Sequence, residues 1–218
     1  MTILTNSSDE WAQIRADYGW IGPWPKIAGS YKGKGLVICG DAIGVWDDLE
    51  RLGCRKDGGN AGRGSVASDF HFMTINKLVE TFPGDIEHCY SNEMHLLEKF
   101  IAARRNEYRK EFEGPKHAHS ISEGAKNRWP FGGHGTSGLG ACLVGLGLGY
   151  DKIVLCGVPL DNGPHNGEPS WRRCTFTREA SSTADNGPNN HWRRARDLIF
   201  RGRVKSMSGR TREWLGEP

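Results

Sequence analysis

No apolar run in this sequence is both long enough to cross a bilayer and free of polar breaks. No signal-peptide pattern opens it either, so a soluble, cytoplasmic protein is expected. Its six cysteines show no C-x-x-C pair and no regular spacing, which argues against a zinc ribbon or a disulfide framework. Cys39, Cys142 and Cys156 sit inside apolar runs, where a reduced thiol behaves as a small hydrophobe, so a reducing compartment is expected. His117 and His119 fall on one face of an expected strand, a spacing some metal sites use, but no third ligand lies nearby in sequence and no metal is expected. A net charge of +3 over 218 residues is too small for a protein that coats nucleic acid with its whole surface. The charge is uneven, however. From Trp171 onward, arginine and lysine clearly outnumber the acids. That suits an anionic ligand or polymer, nucleic acid included, and equally a solvated helix face.

Glycine, by contrast, is abundant, with 30 residues, and it clusters in the stretch around which the chain is organised. Residues 132–163 read as a Gly-rich loop, a small-residue helix, a turn, a buried strand and a polar loop. Glycines let a backbone approach a ligand closely, and the N–H groups at a helix start favour an anion. Gly140, Ala141, Gly145 and Gly147 leave the expected helix few large side chains, and its glycines cost helix propensity. Such a helix forms only where tight docking, for instance on a sheet, rewards the missing side chains. Lys152 to Cys156 is a continuous apolar run of the kind buried on both faces of a parallel sheet.

The remaining chain repeats the alternation. Gly35 to Gly40 reads as a first strand, followed by the turn Asp41-Ala42-Ile43-Gly44 and a helix over 45–52. Phe70 to Asn76 is a second strand, with a short helical turn over 77–81. Asp85 to Tyr90 is a third strand and 94–112 a helix, with Leu97, Phe100, Ile101 and Tyr108 at helical spacing. A fourth strand is expected over 116–121, a helix over 191–200, a last strand over 204–209 and a final turn of helix over 211–215. Residues 1–33 form a Trp- and Pro-rich leading segment that either covers one end of the core or offers an aromatic platform. Residues 53–68 form a Gly-rich basic loop. Strand and helix in alternation predict a single three-layer α/β domain over 34–218, Rossmann-like, on a mostly parallel sheet. Ligands of such domains bind beyond the carboxyl ends of the strands. Asn76, Asn92, Ser137 and Asp161 all fall at that edge, and asparagine both donates and accepts, which suits a base, ribose or sugar hydroxyl. As turn formers they would need no ligand.

The motif G-T-S-G-L-x-A-x-x-V-G-L-x-L-G-Y-D-K-I-V-L-C-G, residues 135–157, resembles the matching stretch of the bacterial lipooligosaccharide sialyltransferases. It is also similar to their Rossmann-like relatives, which share a domain (domain of unknown function 115) with the archaeal hydroxymethylpterin diphosphokinases. The likeness extends over residues 34–215. Gly40-Asp41-Ala42 stands where the group has a G-N-G turn, Ile75-Asn76 matches its V-N, and Ser137-Gly138 its helix-start S-G. Gly157-Val158-Pro159 stands where the group has G-I-D, with Asp161 as the nearest acid. The closing residues 204–216 also look like those of short phage-encoded proteins, so a phage origin is expected. The resemblance implies a nucleotide held by Gly40, Asp41, Ala42, Asn76, Asn92, Thr136, Ser137, Gly138 and Asp161. It implies a CMP-linked sugar donor used without a metal cofactor, and His191 as general base toward an acceptor hydroxyl. Arg172, Arg173, Arg193 and Arg194 are expected to stabilise a leaving phosphate. A Mg²⁺-dependent pyrophosphoryl transfer, with Asp41, Glu93 or Asp161 as metal ligands, and a non-catalytic nucleotide- or nucleic-acid-binding role are the alternatives.

Overall fold

The computed structural model describes residues 25–54, 70–119, 126–129, 136–161 and 188–218. Most of the leading segment, the 55–69 loop, the loop before Thr136, and Arg172 and Arg173 lie outside them.

Among the described residues, seven strands form one sheet: β1 Gly35–Cys39, β2 Phe70–Ile75, β3 His88–Tyr90, β4 Lys116–His119, β5 Asn127–Trp129, β6 Lys152–Cys156 and β7 Val204–Ser206. Their order is β5-β4-β3-β2-β1-β6-β7 and every pairing is parallel. The helices are α1 Val45–Arg51, α2 Leu78–Thr81, α3 Met94–Tyr108, α4 Ser137–Leu148, α5 Pro188–Ala195 and α6 Gly209–Leu215. Helix α5 runs on into a π-helical turn, Arg196–Phe200.

The pleat sorts the core into two layers, because successive strand residues face opposite sides. Leu36, Ile38, Met73, Ile75, Ile153 and Leu155 join α4 and α5 on one side. Val37, Cys39, Phe72, Val154 and Cys156 face α1 and α2 on the other, with α3 packed beside them. The result is a three-layer α/β domain, as the alternation of apolar runs predicts.

Helix α4 shows why its side chains are so small. A Cβ on Gly140 would lie 2.1 Å from the Tyr90 hydroxyl, and one on Gly145 would lie 2.8 Å from Leu36 and 2.9 Å from Ile153. The helix therefore lies directly on the sheet, and the packing gained there offsets its poor propensity. Gly149, with φ +100°, ends it in the left-handed conformation.

Several sequence expectations need correction. The last strand stops at Ser206 and not at 209, and the final helix already starts at Gly209. Helix α3 ends at Tyr108 and not at 112, because Arg109 turns left-handed (φ 52°). The chain then folds back so that Phe112 is buried beside Val79, Leu97 and Ile101. Inside α3, Arg104 is buried, and its guanidinium donates to the carbonyls of Val79, Phe82 and Gly84 around the end of α2. Strand β5, with only Trp129 buried, is a strand that the apolar runs of the sequence do not predict. The third strand also begins at His88 and not at Asp85.

His117 is no half of an exposed metal pair. Its Nδ1 accepts from Trp129 Nε1 at 3.1 Å, and its Nε2 lies 3.1 Å from His88 Nδ1. His88 Nε2 is 2.8 Å from the Tyr150 hydroxyl, which is 2.7 Å from His71 Nδ1. An indole nitrogen only donates, so it fixes every proton along this row. His117 donates from Nε2, His88 from Nε2 to Tyr150, and Tyr150 to His71. Tyr31 stacks on Tyr150 with ring centroids 5.1 Å apart. His88 and His117 are fully buried, and among the described residues no group of three His, Cys, Asp or Glu is arranged for a metal. Among the same residues, no helix is long and apolar enough to cross a membrane.

Candidate active site

In a parallel sheet, the chain reverses its direction of strand addition at one place, and ligands bind near it. Here that place lies between β1, from which the chain steps outward to β5, and β6, to which it returns. The carboxyl ends of these two strands are closed against each other. Gly40 N–H donates to the Cys156 carbonyl at 2.8 Å and Ala42 N–H to the Gly157 carbonyl at 3.3 Å. A Cβ on Gly40 would meet the Gly157 oxygen at 2.4 Å. Asp48, buried in the first turns of α1, accepts from Gly157 N–H at 2.9 Å and from Ser208 Oγ at 2.6 Å. It thereby ties the loops after β6 and β7 to α1.

The half-buried polar groups Asn76, Asn92 and Ser137 lie to the other side, over β2 and β3. Asn76 follows β2 with φ 52°, a left-handed conformation that asparagine tolerates better than most residues. Its Nδ2 donates to Ser137 Oγ at 3.2 Å, and its Oδ1 accepts from Ser91 Oγ at 2.8 Å. Ser91 is buried and also accepts from Glu93 N–H at 2.9 Å, which fixes the turn after β3. One half-buried amide thus joins the exits of β2 and β3 to the first residue of α4. Asn92 accepts from the buried Tyr90 hydroxyl at 2.8 Å.

Thr136 caps α4: its Oγ1 accepts from Leu139 N–H at 3.2 Å. The same oxygen accepts from Trp192 Nε1 at 3.2 Å. Gly138 makes this docking possible, since a Cβ there would lie 2.7 Å from Val158 and 3.3 Å from Trp192. Trp192 is fully buried and its neighbour His191 nearly so. The helix that carries His191 is thus fastened to the start of α4, where the first-turn N–H groups and the helix dipole favour an anion.

The expected site residues divide accordingly. Gly40, Asp41, Ala42, Asn76, Asn92, Thr136, Ser137 and Gly138 gather at the carboxyl edge of β1–β3 and the start of α4. Asp161, exposed, follows β6. Arg193 and Arg194 are exposed on the face of α5 opposite Trp192 and Ala195. Ser91, Asp48 and Trp192 hold the edge together but were not singled out by sequence reasoning. Asn92, placed at the sheet edge by the sequence, marks the neighbourhood of Ser91 but not Ser91 itself. An acid in the first turn of a helix is too ordinary to have marked Asp48.

No protein-family model matches the chain, and no curated protein matches it in sequence. Among solved structures, the sialyltransferase CstII of Campylobacter jejuni, in complex with the substrate analogue CMP-3FNeuAc, is similar with a TM-score of 0.53 at 12% identity. That match covers 84% of this chain and 86% of the other. The monofunctional alpha-2,3-sialyltransferase Cst-I of the same organism gives 0.52 at 12% identity, covering 84% of this chain and 80% of that one. At such identity the likeness is one of fold: this chain has the Rossmann-like α/β architecture of these glycosyltransferases.

Proposed function

We propose that the chain is a glycosyltransferase-like enzyme that binds a nucleotide-activated sugar, CMP-linked, at the carboxyl edge of β1–β3. The observation that carries this reading is the Asn76 bridge, which holds a donor–acceptor amide beside Ser137 at the start of a well-capped helix. That arrangement suits a phosphate next to a ribose or base. It is supported by the fold shared with two enzymes whose names are those of sialyltransferases, one of them bound to a CMP-sugar analogue.

In the proposed reaction an acceptor hydroxyl oxygen bonds to the anomeric carbon while the bond from that carbon to the phosphate oxygen breaks. The electron pair leaves with CMP, and His191 takes the hydroxyl proton. The start of α4 meets the charge that develops on the leaving phosphate. No metal cofactor is assigned a part. Arg193 and Arg194, exposed on α5 with Arg194 one turn from His191, are the candidates to meet the leaving phosphate from that side.

Binding is tested by thermal melting with CMP, CDP, UDP, GDP and ATP, each with and without Mg²⁺. CMP at about one hundred times its Kd stabilises the native state by about 2.7 kcal/mol, a rise in Tm of roughly 5–10 °C. Asn76→Gly is the informative variant, because glycine keeps the left-handed backbone while both amide hydrogen bonds are lost. It is expected to weaken CMP at least tenfold. A shift only with ATP and Mg²⁺ would replace this reading by the pyrophosphoryl-transfer one, and no shift with any nucleotide would remove both.

A further inference from the structure

Four polar groups form a chain of hydrogen bonds that runs in one direction from the turn after β3 to the start of α4. Glu93 N–H donates to Ser91 Oγ at 2.9 Å, Ser91 Oγ donates to Asn76 Oδ1 at 2.8 Å, and Asn76 Nδ2 donates to Ser137 Oγ at 3.2 Å. A serine hydroxyl has one proton to give. Ser91 has two acceptors within reach, Asn76 Oδ1 at 2.8 Å and the Glu93 carbonyl at 3.1 Å, and the shorter contact assigns the proton to Asn76. That proton sets the amide: its oxygen is taken by Ser91, so its nitrogen meets Ser137. With the amide reversed, Ser91 would donate to the Glu93 carbonyl, and Ser137 would turn its own proton inward to Asn76. The direction of the chain thus decides what Ser137 offers to a ligand.

Ser91 is buried at 1% exposure, while Asn76 and Ser137 are half-buried. In the observed direction, two hydrogens at the half-buried end have no acceptor among the described residues. They are the Ser137 hydroxyl proton and the second Nδ2 hydrogen of Asn76, carried on atoms 3.2 Å apart. Two donors this close can meet one oxyanion, and charge-assisted bonds of that kind are the strong ones. Hydrogen bonds in series also polarise one another, so the Ser91 donor strengthens those that follow it.

We propose that Ser91, buried behind Asn76, is a positioning residue: it orients the Asn76 amide so that the Ser137 hydroxyl donates to a phosphate oxygen of the nucleotide. The inference rests on the nucleotide reading of the same edge. Ser91 itself touches no ligand; it acts through Asn76 on Ser137.

The test is calorimetric titration of the full chain and of S91A, S137A and S91A/S137A with CMP and with cytidine, which lacks the phosphate. S137A is expected to weaken CMP about tenfold and S91A about fivefold, with cytidine changed less than about twofold by either. Independent losses would multiply to about fiftyfold in the double variant; one shared path should hold its loss below about twentyfold. S91C, with a poorer donor of similar size, should fall between the parent and S91A. S91A also removes the acceptor of Glu93 N–H, so its melting temperature is expected to drop, but a purely structural loss would weaken cytidine and CMP alike. CMP affinity unchanged in S91A would mean that the amide is reversed, and would overturn the proposal. Losses that multiply, or a loss for cytidine equal to that for CMP, would overturn it too. A parent that binds no CMP would remove the nucleotide reading and this inference together, whereas a parent that binds CMP no better than S91A removes this inference alone.

Discussion

Stability is expected to fall by about 2 kcal/mol between pH 7 and pH 5 through His88 alone, and by about 3 kcal/mol at pH 4. Burial, with His71 nearby adding to it, pushes the His88 imidazole down to about 3. Burial and the neighbouring His88 hold His117 well below the ordinary imidazole range. In the unfolded chain both titrate near 6.5. Their neutral forms are therefore matched between the two states above that pH. As the pH falls below it, the unfolded chain takes up protons that the native state refuses, and stability drops until the native pKa is reached. The geometry explains the refusal. A proton added to His117 Nδ1 would face the N–H of Trp129, and one added to His88 Nδ1 would face the N–H of His117. Urea unfolding at steps between pH 7 and 5, above most carboxylate titration, measures the slope. The double variant H88Q/H117Q should be less stable at pH 7 and should show a much flatter profile. A parent profile already flat over that range would show that the row of buried imidazoles tolerates charge.

That row was invisible in the sequence, and the reason is general. Strand content was legible because burial on both faces demands continuous apolar runs, as in Leu36 to Cys39 and Ile153 to Cys156. The small-residue helix α4 was legible for the same reason, since Gly140 and Gly145 make sense only against a sheet. Asn76 and Ser137 were legible as members of one edge, although not as partners 61 residues apart. By contrast, His88, His117 and Arg104 are polar residues whose burial depends on donors and acceptors supplied by other elements. Trp129, from a strand too short to show alternation, supplies one; the carbonyls around the end of α2 supply another. A local pattern cannot announce a partner that arrives from a different strand. The same holds for Asp48, whose acceptor role exists only once β6 and β7 lie beside α1. The exposed arginines of α5 were legible as basic, but which face they occupy depended on how Trp192 docks.

The second large effect is expected at Gly157, where Ala should destabilise the fold by about 3 kcal/mol or more. Two costs combine. The residue has φ +64°, and a side chain in the left-handed region costs about 1–2 kcal/mol. The added Cβ would also lie 2.6 Å from the Gly40 carbonyl oxygen and 2.6 Å from Val45 Cβ. Neither neighbour is a flexible side-chain end, so relief requires the exits of β1 and β6 or helix α1 to move, at about 1–3 kcal/mol for overpacking. Moving them would also stretch the bond from Gly157 N–H to Asp48 and, through Asp48, disturb Ser208. Gly44→Ala supplies the internal comparison. It sits five residues past β1, with φ −81° and open space around the added atom, and should change stability by less than about 0.5 kcal/mol. Chemical denaturation of both variants separates the explanations. A large loss at Gly157 with none at Gly44 places the cost in the closed junction between β1 and β6. If Gly157→Ala were as mild as Gly44→Ala, that junction would be loose enough to open, and a ligand could then enter between the two strands and not only over β1–β3.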